Sequence, residues 1–149
     1  MKILIVDDDR FIHEMIVASL ASGNHEIKHA FATSEAAQIF RQDGDFDLVI
    51  TDIVMPCEDG TKLIKYIKSI DQSMPVLAIT GGIENAVDDY VALANLYSDA
   101  TLAKPFTKDG LLHGIQAALD KVTNSEEDVS EQALFDKIAQ ILGKNVGHT

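Results

Sequence analysis

"FDLVITDIVMPCEDG", residues 46–60, carries a short apolar run straight into a carboxylate, Asp52, and then into a Met-Pro turn. Leu48, Val49 and Ile50 are consecutive rather than alternating, the mark of a strand covered on both faces. Pro56 fixes its own φ and holds Met55 extended, so the chain turns just after the strand. A carboxylate where a buried strand ends is costly unless something pairs with it. Something else in the chain must therefore reach that point.

Working outward, the same alternation of short apolar runs and longer periodic stretches recurs. KILIV (residues 2–6) is a first strand, and HEIKHAF (25–31) a weaker second one with the look of a sheet edge. Between them Phe11, Ile12, Met15, Ile16 and Leu20 follow helical spacing, and Gly23 ends the run. Thr33 or Ser34 is placed to cap a second helix through Arg41. A third helix puts Leu63, Ile64 and Ile67 on one face. PVLAIT (75–80) is a fourth strand, residues 85–97 are helical in spacing, and ATLA (100–103) is a fifth strand before Lys104. TKDGLLHGIQAALDKV then closes with Leu111, Leu112, Ile115 and Leu119 on one side. Strands alternating with helices predict an α/β fold: a doubly wound, five-stranded parallel sheet joined by right-handed crossovers.

Residues 123–130 are polar and acidic, and read as a linker or as a fresh helix start, with SEED (125–128) as a capping box. Beyond them Leu134, Ile138, Ile141 and Leu142 share a helical face, and Gly143 stands where such a helix stops. The expected organisation is one domain over residues 1–122 and an acidic linker with an extra amphipathic C-terminal helix over 123–149. That tail is too short for a DNA-binding or enzymatic output module. Its apolar face is expected to dock on its own domain or on a second copy.

The chain has 149 residues and a net charge of 12 − 24 = −12, with no basic stripe to grip a phosphate backbone, so direct nucleic-acid binding is not expected. No apolar run approaches the about 18 residues of a membrane span, and the start lacks a signal-peptide core. A single cysteine, Cys57, rules out an internal disulfide and agrees with a reducing compartment, so the expected location is the cytoplasm. Cys57 itself reads as incidental.

In an open parallel sheet the strands end on a common edge, and ligands bind in the crevice beyond it. Asp7, Asp8 and Asp9 follow the first strand, Asp52 ends the third, Thr80 and Gly81 close the fourth, and Lys104 follows the fifth. Two carboxylates ~5 Å apart at an effective dielectric of ~20 repel by roughly 3 kcal/mol, so such a cluster calls for cations. Lys104 supplies one. Carboxylates, a backbone carbonyl and waters are what Mg²⁺ takes for the rest. His13, His25, His29, His113 and His148 lack the spacing of a zinc site. Asp9 reads as a solvated or helix-capping acid rather than a third ligand, and His13 as a surface residue.

Taken together, Asp7-Asp8, Asp52 followed by MPCEDG, Thr80, and KPF at residues 104–106 resemble the receiver domain of bacterial response regulators. The resemblance covers about residues 1–122 and implies the flavodoxin-like strand order 2-1-3-4-5. It implies that Asp52 accepts a phosphoryl group from a sensor histidine kinase or a histidine phosphotransfer protein. Asp8 and Asp52 would ligate Mg²⁺ with the Val54 carbonyl, and Asp7 would act through water. Thr80 and Lys104 would hold the phosphoryl oxygens. Phosphorylation would switch binding to a downstream protein or to a second copy of the chain, in a signalling module rather than an enzyme.

The chain departs from the pattern at Thr101, where the family often carries an aromatic residue that turns inward with the Thr. The signal is then expected to pass through repacking near Leu96 and Tyr97. Three rival readings meet obstacles in the sequence. An aspartate-nucleophile phosphatase would need an acid at Val54. A flavin domain would need a phosphate cradle where DDDR stands. A degenerate receiver acting without phosphorylation is disfavoured by the intact acidic set.

Overall fold

The computed structural model describes residues 1–55, 58–81, 92, 94–130 and 138–139. Its strands are β1 (Lys2–Val6), β2 (Glu26–Ala30), β3 (Leu48–Asp52), β4 (Val54–Met55), β5 (Glu58–Asp59), β6 (Val76–Gly81) and β7 (Ala100–Lys104). Its helices are α1 (Arg10–Ser19), α2 (Thr33–Asp43), α3 (Gly60–Ile70) and α4 (Lys108–Ser130), and residues 92 and 94–97 are also helical. The main sheet runs β2-β1-β3-β6-β7 with every pairing parallel, while β4 and β5 form a separate two-residue hairpin. With that hairpin set aside, the order is the 2-1-3-4-5 expected.

Side chains on a strand alternate between faces, and here both faces are covered. Leu4, Val6, Val49, Val76 and Ala78 form one core with Phe40, Leu63, Ile64 and Ile67 of α2 and α3. Ile3, Ile5, Leu48, Ile50, Leu77 and Ile79 form the other with Ile12 and Ile16 of α1 and Leu111 and Ile115 of α4. That is why these strands read as unbroken apolar runs. Each fully buried Ile or Leu contributes about 2 kcal/mol of hydrophobic stabilisation. β2 borders only β1 and buries only Ala30, so it carries the weaker pattern.

The helices differ in detail from the sequence expectation. Phe11, expected on the inner face of α1, is 62% exposed, whereas His13, expected at the surface, is 2% exposed. The inward stripe is Ile12, His13, Ile16 and Leu20, rotated away from Phe11 once Asp9 caps the helix by accepting from the Phe11 N–H at 2.9 Å. α2 is not capped by Thr33 or Ser34. Its cap position is Ala32, and the Thr33 N–H donates instead to Glu58 Oε2 at 2.7 Å, a partner 25 residues away that local pattern cannot reveal. α2 also runs two residues past Arg41, to Asp43.

α4 starts after Thr107, whose hydroxyl accepts from the Gly110 N–H at 3.0 Å, and continues without a break through Ser130. The linker or new helix start expected over 123–130 is absent. That stretch has no Gly or Pro to break a helix, and polar residues do not by themselves end one. The Pro56 turn, Cys57, Gly82, residues 85–91 and 93, and the tail positions Leu134, Ile141, Leu142 and Gly143 lie outside the described residues. Ile138 is helical and exposed.

Candidate functional site

Parallel pairing delivers the charged residues to one edge. Val6 pairs with Thr51, Asp52 with Ile79, and Gly81 with Lys104, so β1, β3, β6 and β7 end side by side. Asp7, just past β1, is 1% exposed and Asp52 is 3% exposed. Lys104 spans them, donating from Nζ to Asp7 Oδ2 at 2.9 Å and to Asp52 Oδ2 at 3.0 Å. The remaining oxygens are also held: Asp7 Oδ1 accepts from the Asp9 N–H at 2.8 Å, and Asp52 Oδ1 from the Val54 N–H at 3.1 Å.

Asp8 is exposed, and one carboxylate oxygen each from Asp7, Asp8 and Asp52 lies within 4.8 Å of the others. Three carboxylates against one ammonium leave a local excess of negative charge, with a solvent-facing side at Asp8. Hard oxygen donors in that arrangement fit Mg²⁺, which keeps much of its water and takes few protein ligands. Asp7, Asp8, Asp52 and Lys104 thus meet, as the sequence led one to expect of neighbouring strand ends. Thr80 is buried on β6, its hydroxyl 3.5 Å from the Leu102 carbonyl, the outer limit of a hydrogen bond. Thr101 Oγ1 donates to Asn95 Oδ1 at 3.1 Å, tying β7 to the helical residues 94–97.

Burial drives the electrostatics. It pushes the Asp52 carboxyl above its ordinary range, against the lowering charge of Lys104 and the Val54 N–H, with Asp7 adding to the rise. Burial also works against the charge of Lys104, but its hydrogen bond to Asp7 and the charge of Asp52 outweigh that and raise the amine. Because the folded pKa of Asp52 lies above its unfolded value near 3.8, its protonated form favours the fold. That contribution is full below the unfolded value and is lost as pH rises through the folded one. Asp52→Asn should therefore be more stable than the parent at neutral pH in chelator-treated buffer, with the gap opening as pH rises from the acid side. Urea melts across that range check this, and a variant less stable than the parent at neutral pH would contradict it.

Three neighbours of the site were not singled out from the sequence for any role there. Gly60 opens α3 directly against the Asp52–Ile53 backbone, its N–H donating to the Ile53 carbonyl at 3.0 Å. His13, buried on α1, reaches the Asp7 carbonyl, and His29, exposed on β2, meets His13. Their one sequence signal was His13 sitting at helical spacing beside Ile12 and Ile16.

The response regulator receiver domain family model matches residues 3–116. The response regulator MprA of Mycobacterium avium is 31% identical over 134 residues, which cover 90% of this chain and 57% of that protein. The DNA-binding transcriptional regulator NtrC of Azospirillum brasilense is 30% identical over 145 residues, 96% of this chain and 29% of that one. The chain thus spans little more than half the length of these relatives, or less. Among solved structures, a response regulator receiver domain protein from Clostridium thermocellum superposes with a TM-score of 0.70 at 30% identity, covering 80% of this chain and 94% of that one. A CheY-like receiver domain protein from Methanospirillum hungatei gives 0.72 at 27% identity, covering 83% and 97%. Sheet order, family match and structural likeness agree: the chain belongs to the response regulator receiver domain family of two-component signalling.

Proposed function

We propose that this receiver is operated by phosphoryl transfer to Asp52. The observation that carries the proposal is the Lys104 ammonium bridging two buried carboxylates, 2.9 Å from Asp7 and 3.0 Å from Asp52, beside a third acid open to solvent. An Asp52 oxygen forms a bond to phosphorus as the P–N bond of a donor phosphohistidine breaks. The imidazole leaves with that electron pair and takes up a proton. Such transfer has a loose transition state with charge spread over the equatorial oxygens, so catalysis is positioning and electrostatics. Lys104 is fixed where that charge develops, and the Thr80 hydroxyl lies one residue beyond the Asp52–Ile79 pair. Asp8, Asp52 and the Val54 carbonyl would hold Mg²⁺, with Asp7 acting through water. When bound, the ion supplies further positive charge to the phosphoryl oxygens.

The phosphoacceptor unit comprises residues 1–122, with 123–149 as a tail that begins by prolonging α4. The donor is a sensor histidine kinase or a histidine phosphotransfer protein. The output is a changed protein-binding surface around the helical residues 94–97, β7 and α4. Thr80 would exchange its long contact with the Leu102 carbonyl for a phosphoryl oxygen, and the Thr101–Asn95 bond would carry the movement to the helix. Among the described residues no helix is long and apolar enough to cross a membrane. A phosphatase reading is weaker, because Val54 offers no acid or base two residues after Asp52.

Incubation with a small phosphodonor and Mg²⁺, followed by intact-mass measurement, tests the proposal. A single added phosphoryl group is expected, lost in Asp52→Asn and without the metal. Equal uptake by Asp52→Asn would contradict it.

A further inference from the structure

We infer that His13 and His29 form a positioning relay that fixes the backbone of Asp7, and through it the acid pocket; this rests on the phosphoacceptor reading above. His13 Nε2 lies 2.8 Å from the Asp7 carbonyl oxygen in a buried contact, and His13 Nδ1 lies 2.7 Å from His29 Nδ1. A carbonyl only accepts, so Nε2 of His13 carries the proton and donates it. In neutral His13 the Nδ1 is then an acceptor, which requires His29 to present Nδ1–H. The opposite tautomer of His29 would set two lone pairs against each other at that distance. One hydrogen-bonded chain, from β2 through α1 to the end of β1, therefore sets both tautomers.

The chain grips a residue with little other freedom. The Asp7 N–H donates to the Ala30 carbonyl at 3.2 Å, so adjacent β2 residues, His29 and Ala30, constrain both sides of Asp7. Its side chain is held by Asp9 and Lys104. The His13 bond is the one that fixes the peptide joining Asp7 to Asp8, and so the relative aim of two carboxylates of the cluster. Phe31 packs on the His13 ring, with centroids 4.4 Å apart, and restrains its rotation. Burial, and then the neighbouring His13, lower the pKa of His29, which favours the neutral form the chain uses. Partners that orient a metal's ligands are commonly worth a factor of ten or more in affinity.

The test uses the full chain, with Mg²⁺ titrated by calorimetry and imidazole tautomers read by ¹⁵N NMR in metal-free buffer. Gln places a donor where Nε2 stands and Asn does not reach it. His13→Gln should therefore keep Mg²⁺ affinity near the parent's, while His13→Asn and His13→Leu weaken it about tenfold. His29→Asn, which retains a donor at the Nδ1 position, should stay close to the parent, and His29→Phe should weaken binding. NMR should find Nε2–H on His13 and Nδ1–H on His29, a result independent of metal uptake and of whether any variant folds. The opposite tautomers, or parent-like affinity in folded His13→Asn, would overturn the relay. A parent that takes no Mg²⁺ would overturn both the metal reading and the relay's role in the pocket, while the tautomers would still show whether the hydrogen-bonded chain exists.

Discussion

Lys104→Ala should cost about 3 kcal/mol of stability in metal-free buffer, the scale observed when one partner is removed from a buried ion pair. Lys104 Nζ is the cation that touches both Asp7 and Asp52 among the described residues, and both carboxylates are almost fully buried. Without it two like charges face each other with only backbone N–H donors left for relief. The sign under added metal is as informative as the loss. Mg²⁺ should restore part of the stability, because a second cation then enters a pocket that has lost its first. Phosphoryl uptake by this variant should fall by about 10² even with saturating Mg²⁺, the range reported for deleting one donor aimed at developing charge. Urea melts with and without Mg²⁺, and donor-uptake rates by intact mass, check both halves. A variant as stable as the parent in chelator would contradict the electrostatic account.

Gly60→Ala should be the most damaging single-methyl change near the site. A Cβ there would overlap the Asp52 carbonyl oxygen and stand 2.6 Å from Ile53 Cα, both of them backbone that cannot swing aside. Relief requires α3 to slide away from β3, which breaks the Gly60 N–H bond to the Ile53 carbonyl. Overpacking of this kind costs typically 1–3 kcal/mol, and the backbone clash places this case at about 3 kcal/mol. The clash falls on the backbone of Asp52 itself, so phosphoryl uptake should fall along with stability. Gly114→Ala is the control: its Cβ would meet only the movable side-chain tips of Leu77, at 3.2 Å and 3.5 Å, and the Leu102 Cβ at 3.9 Å. If both variants melt alike, the close approach at Gly60 is not what holds α3 in place.

The parts of this molecule that could be read from sequence are those with local or periodic causes. β1, β3 and β6 are covered on both faces, so Ile3 to Val6 and Leu48 to Ile50 appear as unbroken apolar runs and declare a parallel sheet. Parallel strands share an edge, and that fact alone brings Asp7, Asp52 and Lys104 toward one place. What could not be read depends on contacts distant in sequence or on one turn of rotation. Phe11 and His13 stand about 160° apart around α1, one on each flank of Ile12, and a shared stripe with Ile12 and Ile16 does not decide which faces inward. Glu58 capping α2, Gly60 abutting Asp52, and His29 meeting His13 all join elements that only the packed fold brings together. The polar run over 123–130 misled for another reason: losing the apolar pattern does not end a helix, and α4 runs on through Ser130.

The claim on which the rest depends is that Asp52 itself forms an acyl phosphate. Borohydride reduces an aspartyl phosphate to homoserine, so treatment after donor and Mg²⁺, followed by peptide mapping, names the residue modified. The account predicts homoserine at position 52 and at none of Asp7, Asp8 or Asp9. Reduction at one of those three, or a stable phosphoryl group on a histidine with position 52 unchanged, would contradict it.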